Sequence, residues 1–379
     1  MSSAAFMLPC ETVKRQPRAC VSYMTGTGNT ARAAGVIVEE LRQAGWTARS
    51  AELRRGVAVP SEKRDDDLLV LCFPTLGFGL PALVRTCLKG LQGRGRRAAV
   101  FSTWGGEGSA GLLQARVVLW RKGFRVIAAG GATYPFQWTQ VCPPSIKGGV
   151  KRRVERGDAE VRKFAKALLA GLAAKRGRPE AAGFWARAGA TLRAILGVTL
   201  CLPISWTYTY IGRHGLGAMF AADERCTACG SCARDCPAGA IVMAGTGPAR
   251  RPRWGWQCEG CNRCINLCPR EAVQASPIRS AVHTFLNAAL IAAVVVGLNR
   301  AAVALSVPGL AGVIAYAAAL IALVVVGSRL QFAGLERPLF ALESIPAVRR
   351  TIGHSWTARF PRYQCPGFQP ARDGRAPLS

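Results

Sequence analysis

Eight of the fifteen cysteines are concentrated in two short runs whose spacing suits metal or cluster ligation. The runs read CTACGSCARDCP and CEGCNRCINLCP, and each has the pattern C-x2-C-x2-C-x3-C-P. Three thiolates two residues apart can wrap one corner of an iron–sulfur cube, and a fourth cysteine held by the proline turn reaches a second cube. Zinc, the alternative, is usually bound by separated cysteine pairs. The spacing therefore predicts two [4Fe-4S] clusters.

The crossed pairing of this motif assigns four cysteines to each cluster. We expect the first cluster to be held by Cys226, Cys229, Cys232 and Cys268. We expect the second to be held by Cys258, Cys261, Cys264 and Cys236. Residues 220–275 resemble the bacterial-type two-cluster ferredoxins, from which they depart by a longer spacer, residues 238–257. This spacer is expected to add a hairpin, with Trp254 and Trp256 packed over a cluster as a shield against water.

A loop rich in glycine and threonine follows the first apolar run, and its composition indicates a phosphate site. The stretch SYMTGTGNTARAAG, residues 22–35, leads from a predicted strand into a predicted helix, so its amides and the helix N-terminus can bind an anion. A Walker loop would need a Gly-Lys-Ser/Thr ending, which this stretch lacks. A dinucleotide fingerprint fits Gly26, Gly28 and Ala31, with Glu52 where a ribose-binding acid belongs.

The density of hydroxyl and amide side chains favours a third ligand for this loop, a terminal monophosphate. Such side chains can hydrogen-bond a monophosphate from several sides, whereas a pyrophosphate is usually held by bare backbone. The residues assigned to this site are Thr25, Gly26, Thr27, Gly28, Asn29 and Thr30. The segment TGTGNT after the first strand resembles the FMN phosphate loop of flavodoxins, and the resemblance extends over about residues 18–175.

The flavodoxin resemblance implies that FMN is the cofactor and that the loops after the third and fourth strands contact its ring, since ligands lie beyond the carboxyl ends of such strands. The first of these loops contributes Pro74, Thr75, Leu76, Gly77, Phe78 and Gly79. The second contributes Thr103, Trp104, Gly105 and Gly106. Their glycines would let the backbone approach the isoalloxazine, and Trp104 or Phe78 could stack on a ring face. Tyr134 and Trp138 after the fifth strand are further candidates.

Strand-like and helix-like patterns alternate up to about residue 178, which predicts an α/β fold. Five apolar runs separated by amphipathic stretches are typical of a doubly wound, five-stranded parallel sheet with helices on both faces. The predicted domains are a flavodoxin-like FMN-binding domain (1–178), a linker with an apolar interfacial segment (179–215), a small α+β two-cluster ferredoxin domain (216–278), a transmembrane helical hairpin (279–330) and a cytoplasmic C-terminal tail (331–379).

Two uncharged apolar stretches, residues 281–298 and 301–328, have about the length that a membrane crossing requires. We expect a membrane hairpin, and a buried helical pair in a soluble domain is the alternative. Basic residues before the first stretch and after the second place both ends in the cytoplasm by the positive-inside rule. A third apolar stretch, residues 194–211, would separate the cysteine runs from the phosphate loop if it crossed, so we expect it to lie at the membrane interface.

The charge of the chain is strongly positive. Its 379 residues carry a formal net charge of +29, which could serve nucleic acid, anionic lipid or an acidic protein. Because the positive residues are spread along the chain and membrane lipid explains them, we expect no nucleic-acid partner. The sequence begins without a signal-peptide pattern, so we expect both cofactor domains on the cytoplasmic side of the inner membrane. His214, His283 and His354 have no cysteine or acid at ligand spacing.

The combination of domains resembles flavodoxin–ferredoxin fusion proteins. The resemblance implies a membrane-anchored carrier that relays electrons between FMN and two [4Fe-4S] clusters, to or from a redox partner protein or membrane complex. An oxidoreductase acting on a quinone or a small molecule is the alternative. A charged residue inside the membrane is the usual mark of an intramembrane site, and the hairpin stretches contain none. The electron carrier is therefore favoured, and no catalytic residue is assigned.

Overall fold

The computed structural model describes residues 15–57, 59, 66–106, 109–143, 149–174, 199, 201–305 and 309–370. Most of the predicted linker, and residues 194–198 and 200 of the third apolar stretch, lie outside the described residues. The N-terminal domain, the cysteine-rich domain, the two long apolar helices and most of the C-terminal tail lie within them.

A five-stranded parallel sheet forms the N-terminal domain. Its strands are β1 (Arg18–Tyr23), β2 (Thr47–Glu52), β3 (Leu68–Pro74), β4 (Arg97–Trp104) and β5 (Arg125–Thr133). They lie in the order β2-β1-β3-β4-β5, and every neighbouring pair is parallel. This is the doubly wound, flavodoxin-like order, so the predicted fold class is confirmed. The order reverses between β1 and β3, which opens a crevice at the carboxyl ends of these two strands.

Four helices cover the two faces of the sheet. They are α1 (Asn29–Gln43), α2 (Ala82–Cys87), α3 (Ser109–Arg121) and α4 (Val150–Ala173). The central strand β3 is buried along its whole length, and its side chains alternate between two apolar clusters. Leu69 and Leu71 pack with residues of α2 and α3, whereas Leu68 and Val70 pack with residues of α1 and α4. Both faces are covered, which is why β3 is a continuous apolar run.

The described part of the third apolar stretch lies against the N-terminal domain. Residues 201–207 are helical, Tyr208–Gly212 form a π-helical turn, and α5 (Arg213–Ala218) follows. Gln114 of α3 donates a hydrogen bond to the Ser205 hydroxyl at 2.9 Å. We call residues 201–212 the cover helix, because they lie over the loop that follows β3.

The cysteine-rich domain is small and built from short elements. These are β6 (Phe220–Ala222), α6 (Ser231–Arg234), β7 (Ile241–Ala244), β8 (Arg251–Trp254), α7 (Arg263–Asn266) and β9 (Val273–Ala275). Strands β6 and β9 pair antiparallel, and β7 pairs antiparallel with β8. The predicted hairpin in the long spacer between the cysteine runs is therefore confirmed.

Two long helices, α8 (Pro277–Leu305) and α9 (Gly309–Leu342), follow the cysteine-rich domain. By length and composition both can cross a membrane, and their apolar side chains are largely exposed in the isolated chain. Helix α9 continues past residue 330, where the predicted hairpin ends, and its last turns carry Glu336 and Arg337. A short helix, α10 (Pro346–Gly353), precedes the C-terminal tail.

A buried ionic network joins the base of this hairpin to the cysteine-rich domain. The guanidinium of Arg279 on α8 lies 2.5 Å from a carboxylate oxygen of Glu336 and 2.5 Å from one of Glu343. The same guanidinium donates to the Ala218 carbonyl of α5 at 2.7 Å. His283 Nε2 lies 3.2 Å from Glu336, a partner that sequence spacing does not reveal. Arg279 thus orients the hairpin on the domain before it.

We predict that Arg279→Met destabilises the protein by about 3–5 kcal/mol, because it leaves buried Glu336 without its arginine and buried Glu343 with only the longer contact to Arg251. Arg350→Met is the matched control, since Arg350 pairs with Glu224 at 3.3 Å on the surface, where an ion pair contributes about 0–1 kcal/mol. Thermal unfolding in detergent measures both variants. Equal losses in the two variants would contradict a special role for the buried network.

Candidate cofactor sites

A cavity of about 410 Å³ lies at the carboxyl ends of β1, β3, β4 and β5. The predicted loops supply most of its lining. The predicted residues that line the cavity are Asn29, Pro74, Thr75, Leu76, Gly77, Phe78, Thr103, Trp104, Gly105, Gly106, Tyr134 and Trp138. Gly79 of the loop after β3 does not line the cavity. Neither do the residues of the phosphate loop other than Asn29. The structure adds Pro135, Phe136 and Gln137, for which the aromatic stretch TYPFQW is the sequence signal.

The phosphate loop lies beside this cavity and is held by internal hydrogen bonds. The Gly28 amide donates to the Thr25 hydroxyl at 3.1 Å, and Gly28 has a φ of 108° that favours glycine. The hydroxyls of Thr30 and Thr103 are 2.7 Å apart, which ties the phosphate loop to the loop after β4. Helix α1 begins at Asn29, and its first amides have no intrahelical acceptor, so they suit an anion.

The acid expected of a dinucleotide site has a different partner. Glu52, at the end of β2, forms a buried ion pair with Arg263 from the second cysteine run. Arg263 also donates to the Gly26 carbonyl at 2.9 Å and to the Thr25 carbonyl at 2.7 Å. The carboxylate of Glu52 therefore fixes a neighbouring domain, which disfavours a ribose-binding role.

The C-terminal tail covers the outer side of the phosphate loop. The Tyr363 hydroxyl donates to Asn29 Oδ1 at 2.6 Å, and the Cys365 amide donates to the Thr27 carbonyl at 2.8 Å. A Cβ atom on Gly28 would overlap the side chain of Phe368. Sequence reasoning missed these contacts. The available signal was the stretch RYQCPGF, whose Tyr363, Cys365 and Phe368 are the buried residues.

The eight motif cysteines fall into two groups in space. One small cavity is lined by Cys226, Cys229, Cys232 and Cys268. A second is lined by Cys236, Cys258, Cys261 and Cys264. The structure thus brings together the same two sets of four cysteines that the crossed pairing assigns. Cluster ligation by these cysteines stays a prediction. Both groups mix cysteines from the two runs.

Backbone amides and burial determine the environment of these thiols. Amides donate to sulfur at 3.4 Å in Cys236, 3.5 Å in Cys258 and 3.3 Å in Cys268. Burial raises the pKa of the Cys232 thiol to about 12 and that of Cys261 to about 11. Iron binding would therefore release protons from thiols that are neutral at pH 7.

One tryptophan of the spacer, Trp254, lies beside the second cysteine group. Trp254 is buried, lines the second cysteine cavity and stacks on Phe220 with ring centroids 5.6 Å apart. Trp256 stacks on His214 with centroids 3.3 Å apart. Burial lowers the pKa of His214 to about 3, so this imidazole is neutral at pH 7. Trp254 therefore covers one side of the cysteine group. Trp256 packs against His214 and Phe332 of α9, and its place over a cluster stays a prediction.

The second cysteine run lies directly against the flavodoxin-like domain. Gly260, Cys261 and Asn262 line the large cavity. The carbonyl oxygen of Cys261 occupies the place that a Cβ on Gly26 would take, so only glycine fits there. The cavity and the second cysteine group therefore share a wall formed by Cys261.

Glu259 strengthens this contact by capping a helix of the other domain. Its carboxylate accepts hydrogen bonds from the amides of Ala82 at 3.1 Å and Leu83 at 2.9 Å, at the start of α2. Burial raises the pKa of Glu259, while Arg213 and the two amides oppose that shift. The Tyr208 hydroxyl of the cover helix donates to the Glu259 carbonyl at 2.9 Å. Two cofactor regions and the cover helix are thus held in one arrangement.

Comparison with known proteins agrees with this division of the chain. Residues 225–273 match the family described as the 4Fe-4S dicluster domain. No curated protein matches the chain. Together with the strand order, the family match shows a flavodoxin-like domain joined to a 4Fe-4S dicluster domain and followed by two long apolar helices.

Solved structures resemble the N-terminal part of the chain. A flavodoxin from Streptococcus pneumonia is 18% identical over 40% of this chain and 98% of its own, with a TM-score of 0.30. Rubredoxin oxygen:oxidoreductase from Desulfovibrio gigas is 20% identical over 42% of this chain and 38% of its own, with a TM-score of 0.30. A flavodiiron core from Synechocystis is 16% identical over 41% and 37%, with a TM-score of 0.31. The chain spans well under half of these two larger proteins, and the fold assignment depends on its own strand order.

We predict that Gly26→Ala weakens FMN binding by about five- to hundredfold, because the added methyl group displaces Cys261 from the cavity wall. Fluorescence titration of the apoprotein with FMN measures the dissociation constant. Gly35→Ala on α1 is the control, since a Cβ there meets no atom within 4 Å. Unchanged affinity in Gly26→Ala would contradict the close contact between the domains.

We predict that Tyr363→Phe weakens FMN binding by about two- to tenfold, because Asn29 loses the hydrogen bond that orients it at the cavity. Tyr316→Phe is matched to it, since the Tyr316 hydroxyl donates to Asn299 at 2.8 Å in the apolar hairpin. The same titration compares the two variants. An equal effect of both changes would show that the tail does not act at the phosphate loop.

Proposed function

We propose that this chain is a membrane-associated electron-transfer protein that relays electrons between FMN and two [4Fe-4S] clusters. When bound, a flavin exchanges one or two electrons and each cubane exchanges one. The chain would thereby couple one-electron transfer to two-electron transfer for a redox partner protein or membrane complex. The combination of a flavodoxin-like domain with a 4Fe-4S dicluster domain supports the electron-transfer role.

The residues suit these cofactors in type and in arrangement. The glycines and hydroxyls of the phosphate loop, with the first amides of α1, would hold the phosphate of FMN. The backbone at Gly77, Gly105 and Gly106 would allow close approach of the isoalloxazine ring, and Trp104 would stack on it. The two cysteine groups would each hold one cubane, with backbone amides directed at three of the sulfurs.

The observation that carries the proposal is the shared wall between the two sites. Cys261 belongs to the second cysteine group and also lines the large cavity. A backbone segment shared by the two sites would keep the two cofactors a short distance apart, as direct electron transfer requires. Joining the modules in one chain also keeps their effective concentration high.

Membrane placement is the second part of the proposal. The two helices that can cross a membrane, and arginines on both sides of them, support a hairpin in the inner membrane with both cofactor domains in the cytoplasm. Membrane lipid is then a partner of α8 and α9. An acidic redox protein is expected at the basic cytoplasmic surface, and nucleic acid is not.

Anaerobic purification and reconstitution of the full chain test the proposal. We expect about one FMN and about eight irons and eight sulfides per chain, with cubane signals in the electron spin resonance of the reduced protein. Cys264→Ser should lower the iron to about half and leave FMN bound. Cys142→Ser, outside both motifs, is the matched control and should keep the full content. Absence of FMN, or full iron in Cys264→Ser, would overturn the assignment.

A further inference from the structure

Exposed apolar side chains surround the mouth of the large cavity. Phe78, Trp138 and Ile204 all line the cavity, and they are 40%, 41% and 51% exposed, respectively. They come from three separate parts of the chain, the loop after β3, the loop after β5 and the cover helix. Large apolar groups that converge at an opening from three directions form a contact surface for an apolar ligand.

The cavity carries no charge within the described part of the chain. None of the twenty described residues that line it is Asp, Glu, Lys, Arg or His, although the chain has a net charge of +29. A nicotinamide dinucleotide brings a pyrophosphate, which is usually met by a helix N-terminus or by cationic side chains. The described residues of the mouth offer neither of these beyond the loop assigned to FMN. The lining therefore favours a neutral ligand over a charged one.

The mouth is continuous with the elements that lead to the apolar hairpin. Ile204 and Tyr208 lie on the cover helix, and α5 continues from it to the Ala218 carbonyl, which accepts a hydrogen bond from Arg279 of α8. On the same helix Trp206 and Tyr210 are exposed, with ring centroids 5.0 Å apart. Tryptophan and tyrosine are enriched at membrane–water interfaces. A lipid-soluble ligand would thus meet the cavity mouth close to the membrane.

We propose that a neutral quinone dissolved in the membrane reaches the flavin site through the mouth formed by Phe78, Trp138 and Ile204. The inference rests on the proposed function, since it needs bound FMN. In the exchange the quinone gains two electrons and two protons and becomes the quinol, and the dihydroflavin that supplies them is oxidised to the flavin. The two-electron capacity of FMN then serves the quinone, and the single-electron clusters serve the protein partner.

The base of the hairpin is a poorer place for the quinone. Its buried ionisable residues include two arginines, two glutamates and His283, which pair with one another around Arg279 and Arg251. The flavin mouth combines an opening, an apolar rim and an uncharged interior in one place.

Binding and single-turnover oxidation of the full-chain holoprotein in lipid nanodiscs test this inference. The probes are decylubiquinone and, for comparison, NADH. We expect decylubiquinone to perturb the flavin absorbance of the oxidised holoprotein, giving a dissociation constant, and to reoxidise the dithionite-reduced flavin. NADH should do neither. Ile204→Glu should raise the quinone dissociation constant by about tenfold while FMN content stays unchanged.

Trp120→Glu is the matched control, because Trp120 on α3 is 71% exposed and does not line the cavity. Its quinone dissociation constant should equal that of the parent protein. Absence of quinone binding by a holoprotein with full FMN and iron would overturn this inference and leave the electron-transfer proposal standing. So would equal weakening in the Trp120 variant, or binding of NADH at the mouth. A chain that fails to bind FMN would overturn both proposals.

Discussion

The arrangement of the two cofactor regions depends on one buried cation, Arg263. Its guanidinium is 2% exposed and bonds to Glu52, to the carbonyls of Thr25 and Gly26, and to the Asp235 carbonyl at 2.9 Å. A buried guanidinium is tolerated only when its donors are met, so every one of these acceptors is held in place. The residue lies between Cys261 and Cys264, and the phosphate loop is therefore positioned by the second cysteine run itself.

Several other contacts across this boundary involve backbone atoms of glycine-rich or cysteine-rich loops. Gly26 leaves room for the Cys261 carbonyl, Gly77 leaves room for the Tyr208 ring, and Glu259 caps α2. Such contacts require a close approach that any larger side chain would prevent. The flavodoxin-like domain thus lacks side chains at these two positions, and the phosphate loop lies close to the second cysteine run.

Local patterns predicted the parts of this structure that are themselves local. Alternating apolar runs predicted the sheet because its central strands are buried on both faces. The cysteine spacing predicted which thiols converge because a cube has fixed dimensions. The role of Arg263, the cap made by Glu259 and the return of Tyr363 to Asn29 were not predictable. Each joins residues far apart in sequence, and no periodicity or motif marks such a pair before the fold brings them together.

The return of the tail to the phosphate loop also sets an order of events during biosynthesis. Asn29 leaves the ribosome early, but Tyr363 and Phe368, which close over the loop, are made only after both long apolar helices. The loop would therefore stay open on its outer side while the two helices enter the membrane in which we propose that they lie. Closure at the loop would then be a late step in maturation, and retention of the proposed FMN would depend on completed insertion of the chain.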